Sequence, residues 1–161
     1  MNELDSWITQ IESWYQLRKH DQVTLLEPLI LKTPDQLWGP TITNAQSKAI
    51  ACWLDACLRV FEHNRYTASD KAFQYLQLAY SKLQQVACDP LSDRDLKDWS
   101  MKRVQHLVVL LLEFCNQQTQ ETWRSQSHQL IEAHVHFMAA NDHESRGRND
   151  DQGYHSSRSF H

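Results

Sequence analysis

A chain of 161 residues that is 41% apolar is long enough to bury the core of one domain. Its formal net charge of −4, with acids and bases interspersed, supplies neither the electrostatic footprint of a nucleic-acid binder nor a basic face for a lipid surface. Glycine is confined to Gly39, Gly147 and Gly153, so residues 40–146 have little means of making the left-handed turns on which β-hairpins depend.

Leu, Gln, Ala and Lys fill that segment instead, and these are good helix formers. The sequence therefore predicts an all-α fold, a single helical bundle of five to six helices over residues 1–140. In chain order, the first helix is expected over about residues 3–20, where Leu4, Trp7, Ile8, Ile11, Trp14 and Tyr15 recur on one face. In "DQVTLLEPLILKTPDQLWGPT", Pro28, Pro34 and Pro40 forbid a long helix and leave room for a short one over 23–31. Thr43 and Gln46 match a capping box and start a helix over 44–63. That helix is apolar around most of its circumference, with Lys48, Asp55, Arg59 and Glu62 on one narrow polar stripe, the pattern of a helix in the middle of a bundle. Residues 67–87 are cleanly amphipathic. Pro90 ends that run, and Ser92 with Asp95 marks the next start. Helices over 93–116 and 119–139 follow, the junction "NQQTQE" reading either as a break or as continuous helix. From residue 141 periodicity and aliphatic residues fade, the composition of a disordered polar tail over 141–161.

The stretch "HLVVLLLEFC", residues 106–115, poses the main question, because the helix over 93–116 carries two adjacent apolar faces. Leu96, Trp99, Leu107, Leu110 and Phe114 make one; Met101, Val104, Val108, Leu111, Leu112 and Cys115 make the other. One amphipathic neighbour cannot cover both. The preferred expectation makes this the second central helix, beside the one over 44–63 and enclosed by the rest. The alternative leaves one face bare for a second copy or another protein, since a bare stripe several turns long exceeds what a soluble monomer tolerates. Arg103 falls in line with Trp99, Leu107 and Phe114, so its guanidinium must find a carboxylate such as Asp55 or Asp98, or stack on an aromatic ring. Trp38, in the Pro-bounded "PDQLWGP", either caps the bundle end or stands out as a partner's anchor. The expected partner-binding set is thus Trp38, Trp99, Arg103, Leu107, Leu111 and Phe114.

Signs of chemistry are few. Cys52, Cys57, Cys88 and Cys115 sit singly in apolar surroundings, as inert reduced thiols do. His128, Glu132 and His136 lie at i, i+4 and i+8, but the outer pair is about 12 Å apart along a helix axis, too far to share one ion. The His20–Asp21 doublet resembles that of the HD-type phosphohydrolases, without further His and Asp at matching positions upstream. No phosphate-binding glycine loop or G-x-S-x-G elbow occurs. The basic residues Arg94, Lys97, Lys102, Arg103 and His106 are interleaved with Asp93, Asp95 and Asp98, whereas a phosphate-tracking face wants its acids absent. The N-terminal "MNELDSWITQ" is acidic, unlike a signal peptide, and the apolar run at 107–112 is too short to span a bilayer. Together these features predict a cytoplasmic, non-catalytic adaptor, regulator or assembly subunit, with no cofactor and no metal, acting through a protein partner or self-association. An accessory nucleic-acid-binding protein is the alternative, and a metal-dependent hydrolase a third and weaker one.

Overall fold

The structure, a computed structural model, describes residues 2–17 and 22–150. Its six α-helices, counted among those residues, are α1 (Glu3–Gln16), α2 (Leu26–Leu31), α3 (Asn44–Asn64), α4 (Ser69–Cys88), α5 (Arg94–Asn116) and α6 (Thr122–Asp150), with no strand between them. The fold is all-α, a single helical bundle. The His20–Asp21 doublet and residues 151–161 of the expected tail lie outside the described residues.

Local chemistry sets the boundaries. Asn2 caps α1 by accepting from the Asp5 backbone N–H at 2.8 Å. Pro28 is accommodated within the first turn of the six-residue α2, where its missing N–H would have no partner in any case. The predicted capping box at α3 is complete: Gln46 N donates to Thr43 Oγ1 at 3.1 Å, and Thr43 N donates to Gln46 Oε1 at 3.0 Å. At α5 the cap is Asp93, which accepts from Leu96 N at 3.1 Å, rather than Ser92. "NQQTQE" is a break, with Gln117 closing α5 and α6 starting five residues on. The backbone of α6 then stays helical past residue 141, where aliphatic residues run out. Asn141 itself is buried, its amide donating to the Phe137 carbonyl at 2.8 Å and lying 3.6 Å from Cys88 Sγ.

The helices stack in a zigzag. Successive pairs α3–α4, α4–α5 and α5–α6 make the extensive contacts, and α1 lies on α3. Alternate helices are joined by individual side chains. Tyr15 of α1 reaches Asp55 of α3, Tyr75 and Lys71 of α4 reach Glu27 of α2, and Tyr80 of α4 reaches His134 of α6. From α3 to α5 the links are Phe61 against Phe114 and Arg65 against Gln117. From α3 onward the helices therefore alternate between two layers, α3 and α5 in one and α4 and α6 in the other, with α1 and α2 packed on α3. Phe114 sits at the centre of an aromatic cluster, 5.5 Å from Phe61 and 5.3 Å from Trp123.

This arrangement answers the question raised by residues 106–115: α5 is enclosed within the single chain as the preferred expectation had it, though by α4 and α6 and not directly beside α3, and the alternative of a bare stripe several turns long is overturned. Leu96, Val104, Leu107, Leu111 and Phe114 are each at most 2% exposed within the single chain. Two different helices, α4 and α6, share the work of covering α5, which is why most of both apolar faces is buried while Met101, Leu110 and Leu112 stay half-buried. The backbones of α3 and α5 are held apart, because α4 wedges against both from the second layer.

Candidate functional site

Holding α3 and α5 apart leaves a groove between them on the first layer, about 240 Å³ in volume. Ala51, Leu54 and Leu58 form the α3 wall, and Leu107 and Leu110 the facing α5 wall. Asp55, Arg103 and His106 supply its polar groups. Val109, on the outer face of α5 beside Leu110, is half exposed at 51%. The volume is below the roughly 300–1,000 Å³ of ordinary small-molecule sites, and the walls are mostly aliphatic, so the groove suits one or two apolar side chains.

Its charges are unevenly satisfied. Asp55 Oδ2 is 2.5 Å from the Tyr15 hydroxyl and accepts from Arg59 Nε at 2.6 Å. Burial, reinforced by the Asp55 carboxylate, pushes the Tyr15 hydroxyl well above the ordinary tyrosine range. The Arg59 guanidinium in turn lies over the rings of Trp14 and Tyr15 at 5.7 and 5.6 Å. Asp55 is thus engaged from the α1 side and does not pair with Arg103. Arg103 takes the other course open to it and stacks on the buried Trp99 ring at 5.5 Å, with no ion pair to a carboxylate among the described residues. Its neighbours Lys102 and His106 are exposed, as is Lys48, one turn before Ala51 on the opposite wall. Within the lining, Asp55 is balanced by its pair with Arg59, and Arg103 is the cation that faces the groove with no ion pair to a carboxylate among the described residues.

Of the six expected partner-binding residues, the structure brings Arg103, Leu107 and the supporting Trp99 together here. Leu111 and Phe114 are corrected: both are sealed in the core, at 0% and 1% exposure, and offer a partner nothing. Trp99 and Leu107 are corrected in part: both are buried and neither is an exposed anchor, Leu107 lying in the groove lining and Trp99 outside it against Arg103. Trp38 stands elsewhere. It is half buried, edge-on to Trp53 at 4.9 Å, with the Lys82 ammonium 5.0 Å from its ring centre, so it packs against the middle of α3 and not over an end of the bundle. Leu54, Leu58 and Leu110 were missed by sequence reasoning. The unusually wide apolar circumference of the helix over 44–63 was the available signal, but the side facing helix 93–116 depended on where α4 lay.

The other candidate chemistry disperses. His128, Glu132 and His136 are exposed, and no group of three or more His, Cys, Asp or Glu among the described residues is placed to hold a metal ion. Burial pushes the thiols of Cys57 and Cys115 up, away from the reactive thiolate. Cys88 departs from the expected burial, because it is the last residue of α4 and the helix ends before a neighbour covers it. A larger hollow of about 550 Å³ opens where the α3–α4 and α5–α6 connections meet, but amides and hydroxyls such as Thr67, Ser69, Gln118 and Gln120 line it. Its Lys71 is held by Glu27 at 2.9 Å, and no His or Cys reaches its wall. No helix among the described residues is long and apolar enough to cross a membrane.

By fold and site the chain is an all-α bundle with a mostly aliphatic groove between α3 and α5, to which Asp55, Arg103 and His106 supply the polar groups. Comparison with known protein families, with curated proteins and with solved structures finds no match for it.

Proposed function

We propose that the chain is a non-catalytic helical adaptor or assembly subunit that works through protein–protein contacts, with the α3–α5 groove as its contact face. The observation that supports this reading is the aliphatic trough between α3 and α5, where Leu58 and Leu110 stay half-buried above the buried Leu54 and Leu107. An apolar centre ringed by polar groups is the arrangement in which interface hot spots form.

Site-specific photo-crosslinking in cells tests it. A photoreactive residue at His106, exposed in the groove lining, is expected to give a discrete adduct whose mass identifies either a second copy or another protein, and Leu110→Glu is expected to abolish it. The same probe at Ser81, exposed on α4 in the other layer, should give none. Adducts that are equal at the two positions, or absent at both, overturn the reading.

A further inference from the structure

We infer that the occupant of the α3–α5 groove is an acidic amphipathic helix of a protein partner; this rests on the docking function proposed above and specifies its chemistry. Length comes first. The apolar walls run from Ala51 to Leu58 on α3 and from Arg103 to Leu110 on α5, about 10 Å of helix axis at 1.5 Å per residue. Two large aliphatic side chains four residues apart on a helix are separated by about 6 Å along its axis and fit that trough together. Amphipathic helices present their apolar side chains at this spacing to a groove.

Charge comes second. Of the groove's two walls, the α3 carboxylate of Asp55 is already bonded by Tyr15 and Arg59. On the α5 wall, Arg103 has an aromatic ring beneath it and no carboxylate in ion-pair reach among the described residues. The Trp99 ring 5.5 Å from the guanidinium carbon holds the charge at the end of the apolar trough while leaving its donors for an incoming acceptor. His106 is exposed beside it. A partner carboxylate next to the leading aliphatic residue would complete that fork, and a lysine in the same place would meet like charge.

Labelled synthetic helical peptides titrated into the full chain test this by fluorescence anisotropy. One carries two leucines four residues apart with glutamates flanking them, the second has lysines for the glutamates, and the third has serines for the leucines. The acidic peptide is expected to bind saturably and more weakly as salt rises, and the other two at least about tenfold more weakly, the factor that one charge-assisted hydrogen bond supplies. Arg103→Glu should reverse the preference between the acidic and the basic peptide, and Leu110→Glu should abolish both; circular dichroism checks that each variant keeps its helices. If acidic and basic peptides bind alike and Leu110→Glu blocks both, the groove docks proteins and the acidic partner is rejected. Binding of none of the peptides overturns the inference, and joined to the absence of the His106 adduct it overturns the docking function as well. Displacement of the peptide by duplex DNA, with DNA binding that Arg103→Glu removes and Leu110→Glu leaves intact, assigns Arg103 to nucleic acid and overturns the inference too.

Discussion

Gly39 closes the 3-10 turn Asp35–Trp38 at φ 116°, ψ −163°, a region essentially closed to residues with a Cβ. Steric room is not the constraint, since a Cβ there would meet its nearest neighbour, Ile42 Cδ1, at an ordinary 3.6 Å. The backbone is. Gly39→Ala is expected to cost about 1–3 kcal/mol, read as a shifted urea midpoint with an unchanged slope; wild-type stability would show that the turn relaxes to another conformation. The same turn holds Trp38 against Trp53 and presents the Gln36 carbonyl, which accepts from the Gln46 side chain at 2.9 Å. Its loss therefore reaches the start of α3. At Arg103 the sequence narrowed the outcomes to a carboxylate or a ring, because an unpaired guanidinium on an apolar face is costly. Which of them prevailed was decided by Tyr15 and Arg59, residues of α1 and α3 that had already engaged Asp55.

Among the elements, α6 is attached differently from the others. It leaves Ile131 and Val135 exposed at 46% and 60%, and it meets α4 through single side chains: Tyr80 against His134 at 2.8 Å, and Asn141 against Cys88. His134 is half buried, and desolvation lowers its pKa below the ordinary histidine value near 6.5. Burial pushes the facing Tyr80 hydroxyl up to about 12, so it stays protonated throughout the window in which His134 titrates. A histidine with a lowered folded pKa takes up its proton more readily when unfolded. Stability is therefore full above about pH 6.5 and declines as the pH falls through the histidine range toward the lower folded value. The melting temperature is expected to drop over that interval, and to drop less in His134→Gln, which keeps a polar partner for Tyr80 without a titrating ring. Identical pH profiles for the two proteins would exclude the seam as the source. Helix periodicity alone placed α1, α3, α4 and α5 and most of their core stripes, because a 3.6-residue repeat is a local property of the chain. The extent of α6 was less legible: aliphatic residues end near position 140, whereas its backbone continues helical to Asp150.

At the scale of the whole molecule, the zigzag explains both what is buried and what is left open. Each internal helix is gripped from two sides by the other layer, and a shallow groove must remain between neighbours within a layer, as it does between α3 and α5. No local pattern encodes that spacing, since it depends on how deeply α4 wedges behind the pair. The same architecture grades stability along the chain. The central helices α3, α4 and α5 share the aromatic and aliphatic core around Phe61, Phe73, Leu76 and Phe114. Within the described stack α6 has its main contacts with α5 alone, and past Leu130 its side chains are half or fully exposed until Asn141. Opening free energies span a range from near zero to the global value, and elements with few buried apolar contacts open first. Native-state hydrogen exchange should accordingly find α4 and the middle of α5 exchanging only through global unfolding, with residues 131–140 opening at a distinctly lower free energy. Replacing the two bridging groups together, by Tyr80→Phe and Asn141→Ala, should lower protection in α6 further while leaving that of α3 in place. Equal protection from α1 to α6, or loss spreading evenly through α3 in the double variant, would mean that the chain opens as one cooperative unit and that the layer-by-layer grading of contacts does not govern its dynamics.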